Sequence, residues 1–380
     1  MARCPAYRPA PPWDSDSIMR HPAPHDNGKL LGVQAARGIA ALMVVVFHAE
    51  RAVSLPQYLG HQPLGGITGF GHAGVDFFFV LSGFIIYTVH NGDIGRPDRF
   101  ARYAGRRLSR IYPPYWVVTA IVLLIMLAGH GWDGLPGWTD VVGSLLLVPH
   151  GADPILGVAW TLEREMIFYL LFGIAILDRR AAFAAVAAWV GLSCVGAWMP
   201  GGPIRLGSLA AGSYDMLFAM GLVTAEVLRR ANPTHARLIA LVGVAAFLAA
   251  GVAEDLALLP HEAWVSRLAY GAASCTIILG LVAAERLGRL SVGRGMVLLG
   301  AASYSIYLVH TILLGLTTRA LTAAGATGKV PGWTVMAAAC LVAVIAGIVF
   351  HLLVERPATR AAQRLVTRLI TRESPAVSPA

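Results

Sequence analysis

Ten apolar segments follow one another along the chain, each bounded by charges, proline or glycine: 31–53, 71–90, 113–129, 157–177, 181–199, 207–228, 236–252, 266–285, 296–318 and 333–354. A helix needs about 20 apolar residues to cross the hydrocarbon core of a bilayer. Only helices and closed barrels satisfy their own backbone polar groups there. The pattern predicts an all-α, polytopic transmembrane helix bundle of about ten spanning helices. Charged side chains make up 13% of the 380 residues, about half the share of a soluble domain, which excludes a disordered or coiled-coil chain. A further stretch, 139–149, is too short to cross and is expected to lie re-entrant or along the interface.

Loop charges set the orientation. With the N-terminus cytoplasmic, the cytoplasmic segments carry 22 Lys and Arg and the outer loops carry 3, alternating through every loop. This is the positive-inside pattern, and it predicts that both termini are cytoplasmic. The net charge of +9 is therefore a topology signal and needs no nucleic acid to explain it. Residues 1–29 lack the apolar core of a secretory signal; they read as a disordered cytoplasmic leader, or as an over-called start with Met19 as the alternative. The transmembrane domain is expected over 30–357 and a basic cytoplasmic tail over 358–380. No loop exceeds about thirty residues, so the chemistry belongs inside the bundle or at its rims. Cys4, Cys194, Cys275 and Cys340 are far apart, with no His at ligand spacing, so neither a disulfide nor a metal centre is expected.

Ionisable residues inside the spans carry the functional signal, because each costs at least ~2.5–3.5 kcal/mol to insert. Arg37 and His48 are 11 residues apart on the first segment, which places them on one helical face with about 16 Å between them along the axis. They are expected to hold different parts of one elongated site. The structural alternative is an Arg37 ion pair and a His48 hydrogen bond to a backbone carbonyl. In the second segment, His72 and Asp76 form an HxxxD spacing too short to carry an assignment on its own. Arg106, Arg107 and Arg110 lie within one helical turn before Pro113 and Pro114, which are expected to break the helix. Such a cluster suits a polyphosphate, although positive-inside topology accounts for most basic residues in that loop. Tyr112, Tyr115 and Trp116 fit an interfacial aromatic belt.

Two further segments are polar where lipid would demand otherwise. Glu163, Arg164 and Glu165 are consecutive and cannot share one face; Glu165 and Tyr169 do, at i,i+4. Arg164 is expected to pair with a neighbouring glutamate or with Asp215. In SYSIYLVH, Ser303, Tyr307 and His310 line one stripe. No GxxxxGK[ST], GxSxG or HExxH occurs, so ATPase, serine esterase and zinc protease chemistry have no foothold.

Taken together, these pieces resemble acyltransferase family 3, the membrane proteins that O-acylate bacterial surface carbohydrates. The matching pieces run in family order: Arg37 with His48, GVDFFFVLSGF from Gly74, RRLSRIYPPYW from Arg106, AWTLEREMIFYL from Ala159, SYSIYLVH from Ser303, and the terminal VERP. The likeness covers about 31–357 and is greatest to the exopolysaccharide-production acetyltransferases; Glu163 and Arg164 add charge where the family often has small or neutral residues. It implies an acetyl-CoA donor and a carbohydrate acceptor that is either a polysaccharide or a lipid-linked oligosaccharide. It also implies the bacterial inner membrane, membrane lipid and the polysaccharide synthesis machinery as surroundings. On that reading His48 is the base, because an imidazole with an ordinary pKa of about 6.5 suits a sugar hydroxyl attacking a thioester. Glu165 orients His48 or stabilises its imidazolium, and Arg37 stabilises developing charge or grips the donor. Arg106, Arg107 and Arg110 bind CoA phosphates, while Asp76, Tyr169, Tyr307 and His310 contact substrate. The competing readings are a transporter or flippase of a polar lipid-linked substrate and a synthase scaffold.

Overall fold

Among the described residues the backbone is helical throughout, with no strand and one isolated bridge between Thr327 and Val330. The computed structural model describes residues 30–131, 134–149, 152–182, 184–185, 188, 213–261 and 263–372. The leader 1–29, most of segment 181–199 and the stretch 207–212 therefore lie outside the described residues. The helices are α1 (Leu31–Val53), α2 (Gly74–His90), α3 (Phe100–His130), α4 (Trp138–Leu146), α5 (Trp160–Leu177) and α6 (Ser213–Arg230). They continue with α7 (Ala236–Asp255), α8 (Trp264–Arg286), α9 (Arg294–Ala301), α10 (Ser303–Ala323), α11 (Gly332–Phe350) and α12 (Arg356–Arg372).

Among the described residues, seven helical stretches are long and apolar enough to cross a membrane. They cover seven of the ten expected segments. The helices at 160–177 and 213–230 hold more charge than such a stretch tolerates: Glu163, Arg164 and Glu165 in the first, and Asp215, Glu226, Arg229 and Arg230 in the second. Helix α11 has apolar residues all round, and Leu341, Ile345 and Leu353 stand exposed on its outer side and its extension. Large apolar side chains turned outward are what a lipid-facing surface requires.

With no water to expel between helices in lipid, close packing through small residues does the joining. A Cβ on Gly83 would stand 2.1 Å from the Phe218 carbonyl oxygen, and one on Gly221 would stand 2.0 Å from that of Val80. Helices α2 and α6 thus cross backbone to backbone. Gly300 does the same for α9 against α1, where a Cβ would lie 1.9 Å from the Gln34 carbonyl oxygen.

Two sequence expectations are corrected. Pro113 and Pro114 do not break the helix: α3 runs through both, so the basic stretch before them is the first third of one 31-residue helix. Segment 296–318 is two helices meeting at Ala302, which starts the second at Ser303. Tyr112, Tyr115 and Trp116 turn their polar atoms to the end of α4, the Tyr115 bond buried and the other two exposed. They donate to the carbonyls of Leu146, Ser144 and Leu145 at 2.8, 2.7 and 2.9 Å. Those carbonyls end α4 and have no partner within their own helix. Nine residues cannot span the membrane, so α4 stops short, and these side chains satisfy its last turn.

Candidate active site

Helices α1, α2, α3, α5 and α10 converge on a cavity with about 110 Å³ open to a water-sized group. Each contributes one polar face to an otherwise apolar wall. Arg37 comes from α1, Ser82 from α2, Arg107 and Arg110 from α3, Glu165 and Tyr169 from α5, and Ser303, Tyr304 and Tyr307 from α10. Arg37 donates to the Ser303 hydroxyl at 3.1 Å. Glu165 Oε1 accepts from Ser82 Oγ at 3.0 Å and also from the Tyr169 hydroxyl, the i,i+4 pair expected of that face. The Arg107 guanidinium lies 5.4 Å from the centre of the Tyr169 ring, a cation–π arrangement that holds it over the cavity wall. Three guanidiniums and one carboxylate line the space, so its lining is formally cationic.

At the far side of Tyr307 the bundle holds two histidines. The rings of His310 and Tyr307 are 5.6 Å apart and those of His310 and His48 are 5.0 Å apart, the latter edge to face. His48 Nδ1 lies 2.9 Å from the Val44 carbonyl and His310 Nδ1 lies 2.7 Å from that of Tyr307. A carbonyl only accepts, so each neutral ring carries its proton on Nδ1 and keeps a lone pair on Nε2. The Nε2 of His310 is fully buried and has no hydrogen-bond partner among the described residues. A buried polar atom left unpaired is costly.

Beyond His48 the ring contacts continue to Phe47, 5.0 Å away. Phe47 lines a second cavity at the end of the bundle where α1 finishes, with Glu50, Arg51, Gln62, Thr68 and His261. Glu50 accepts from the Leu64 and Gly66 amides at 3.0 and 3.2 Å and from the Thr68 hydroxyl, which folds the 54–68 loop over that cavity. The two histidines therefore stand in the partition between two cavities.

Several expected placements differ. Glu165 does not meet His48; its hydrogen bonds go to Ser82 and Tyr169, and the ring facing His48 belongs to His310. Arg106 is exposed and away from the cavity, because one residue of helix turns it about 100° from Arg107. Asp76 is buried and does not line the cavity. It sits about 120° round α2 from Ser82 and within electrostatic reach of Tyr270 on α8. Tyr307 presents its ring to the cavity while its hydroxyl donates to the Val158 carbonyl at 3.0 Å. Sequence reasoning missed Ser82 and Tyr304, whose only signal was a hydroxyl inside an apolar or aromatic run. Glu355, in the terminal VERP, is buried and accepts from Ser305 at 2.5 Å and His351 at 2.8 Å.

The sequence comparisons agree with one another. A family model described as an acyltransferase domain, acyltransferase family 3, matches residues 30–352. The chain is 29% identical to the exopolysaccharide production protein ExoZ of Rhizobium meliloti (strain 1021), over 76% of this chain and 90% of that protein. It is 27% identical to the acyltransferase MdmB of Streptomyces mycarofaciens, over 87% of this chain and 92% of that protein. No solved structure matches the chain.

Proposed function

The chain belongs to acyltransferase family 3, and from that premise we propose that this multi-pass membrane acyltransferase moves an acetyl group from acetyl-CoA to a hydroxyl of an exopolysaccharide or its lipid-linked precursor. The observation that carries the reading is the His48–His310 pair, with a free lone pair on each Nε2, beside a cavity lined by Arg37, Arg107 and Arg110. The likeness to an exopolysaccharide production protein supports a glycan acceptor. The protein resides in the bacterial inner membrane with both termini cytoplasmic and ten crossings, as the loop charges argue. A single acyltransferase domain spans 30–357, between the leader and the basic tail.

Arg107 and Arg110 take the CoA diphosphate and 3′-phosphate at the basic end, and Arg37, anchored by Ser303, grips the donor deeper in the cavity. The extended pantetheine arm is comparable in length to the separation of about 16 Å between Arg37 and His48 along α1, so a donor held at the arginines presents its thioester near the histidines. His48 Nε2 takes the proton of the acceptor hydroxyl as its oxygen attacks the thioester carbonyl. The tetrahedral intermediate collapses with cleavage of the C–S bond. The thiolate of CoA leaves and takes up the proton from the His48 imidazolium, so ester and free thiol are the products. His310 positions the His48 ring through their edge-to-face contact. The acceptor approaches from the second cavity.

Membranes containing the protein, given acetyl-CoA labelled in the acetyl group, should place label in extracted saccharide. Separate counting of lipid-linked and polymeric fractions identifies the acceptor. Saccharide that stays unlabelled in the presence of both acceptor fractions would remove the acetyl-CoA reading.

A further inference from the structure

Apart from the cavity and the paired histidines, three metal-ligating side chains converge at the rim where α1 ends. His72 lies in the 3-10 turn Gly69–Ala73 that leads into α2, Glu254 at the end of α7, and His261 on the loop to α8. His72 Nε2 stands 3.0 Å from Glu254 Oε2, and His261 Nδ1 stands 3.0 Å from Glu254 Oε1. One ligand atom from each residue falls within 4.8 Å of the other two. The two imidazoles also meet edge to face, with centroids 4.7 Å apart.

These separations have a physical reading. A tetrahedral zinc ion with bonds of about 2.0–2.2 Å to N and O holds its ligand atoms about 3.3 Å apart. The two N–O separations of 3.0 Å lie within a few tenths of an ångström of that edge, each to a different oxygen of the one carboxylate. An ion bound to one atom of each residue requires the rings and the carboxylate to turn until their ligand atoms, within 4.8 Å of one another, close to that edge. Two imidazoles and one carboxylate form the donor set of open zinc sites, where a fourth position is left to water. The surroundings match such a site in two more respects. The Tyr270 hydroxyl donates to Glu254 Oε2 at 2.6 Å, an outer partner of the kind that orients a ligating carboxylate. The side chain of Glu254 is 2% exposed and that of His72 11%, but that of His261 is 51% exposed, so one side of the trio opens to solution.

We propose that His72, Glu254 and His261 bind one divalent transition-metal cation, with Zn²⁺ as the ion of matching donor chemistry. This departs from the sequence expectation of no metal, which rested on local spacing. The ion ties the approach to α2 to the α7–α8 hairpin, and through His261 it fixes one wall of the second cavity. Nothing in this assignment requires acetyl-CoA or His48, so it stands or falls separately from the proposed reaction.

The test uses full-length, tag-free protein in detergent, stripped with a chelator and titrated with Co²⁺. One equivalent per chain should bind, with the intense visible absorption of a four-coordinate ion, and Zn²⁺ should bleach it. His72→Ala and His261→Ala should each weaken binding at least tenfold, while His48→Ala should bind as the parent does. His261 is exposed, so its variant keeps the fold even if Glu254→Gln does not. Tyr270→Phe, which removes the outer partner alone, should weaken binding about tenfold. A parent that takes up no stoichiometric Co²⁺, or uptake that His261→Ala and His72→Ala leave unchanged, overturns the site.

Discussion

The imidazoles of His48 and His310 meet edge to face with their centroids 5.0 Å apart, and each ring hands its Nδ1 proton to a backbone carbonyl of its own helix. The contact joins α1 to α10, and the two backbone bonds leave both Nε2 atoms as acceptors. A base needs its lone pair and its orientation fixed before the substrate arrives, and this arrangement supplies both.

Loss of His310 should therefore act through His48. His310→Ala is expected to lower kcat by roughly 10²-fold while KM for the donor stays near its parent value. A merely structural residue would instead reduce the amount of folded protein, which size-exclusion chromatography in detergent reads directly.

Arg107 and Arg110 line the cavity while Arg106 does not. Replacing either of the first two with Ala removes a hydrogen bond to a charged phosphate, about 1.5–3 kcal/mol. KM for acetyl-CoA should rise roughly 10- to 100-fold in consequence. Arg106→Ala should leave KM unchanged, and initial-rate kinetics across donor concentrations separate the three.

Glu165 accepts from both Ser82 and Tyr169 inside the cavity wall. Glu165→Gln replaces the carboxylate with one neutral acceptor and one donor and disturbs the wall that faces three arginines, so a loss of about 1–3 kcal/mol is expected. Thermal unfolding in detergent should show a lower Tm, and Tyr169→Phe a smaller decrease in the same direction.

Gly83 admits no side chain. A Cβ there would sit 2.1 Å from the backbone oxygen of Phe218, which cannot swing aside as a side chain can. Gly83→Ala should force α2 and α6 apart, with overpacking of typically 1–3 kcal/mol, and reduce both Tm and folded yield.

The all-helical, multi-span class was legible because apolar length is a one-dimensional signal. Arg37 and His48 were legible as a pair because they share one helix. Glu165 with Tyr169, and Ser303 with Tyr307 and His310, were legible for the same reason. Contacts between distant segments left no such trace. Nothing local in the sequence says that His310, rather than Glu165, faces His48, or that Tyr112, Tyr115 and Trp116 cap α4. The trio of His72, Glu254 and His261 is drawn from three segments, so ligand-spacing rules pass over it. Prolines at 113 and 114 misled for a different reason. Each removes a backbone donor, but a long helix packed on α12 through Gly105 and Val366 tolerates the gap.

The central claim is that His48 is the base of acyl transfer. The most direct test is the rate of acetyl transfer from acetyl-CoA to saccharide by purified His48→Ala, compared with the parent at equal folded protein and equal donor binding. Loss of about 10²–10⁴-fold in kcat is expected for a general base. A variant that transfers at the parental rate would contradict the assignment of His48.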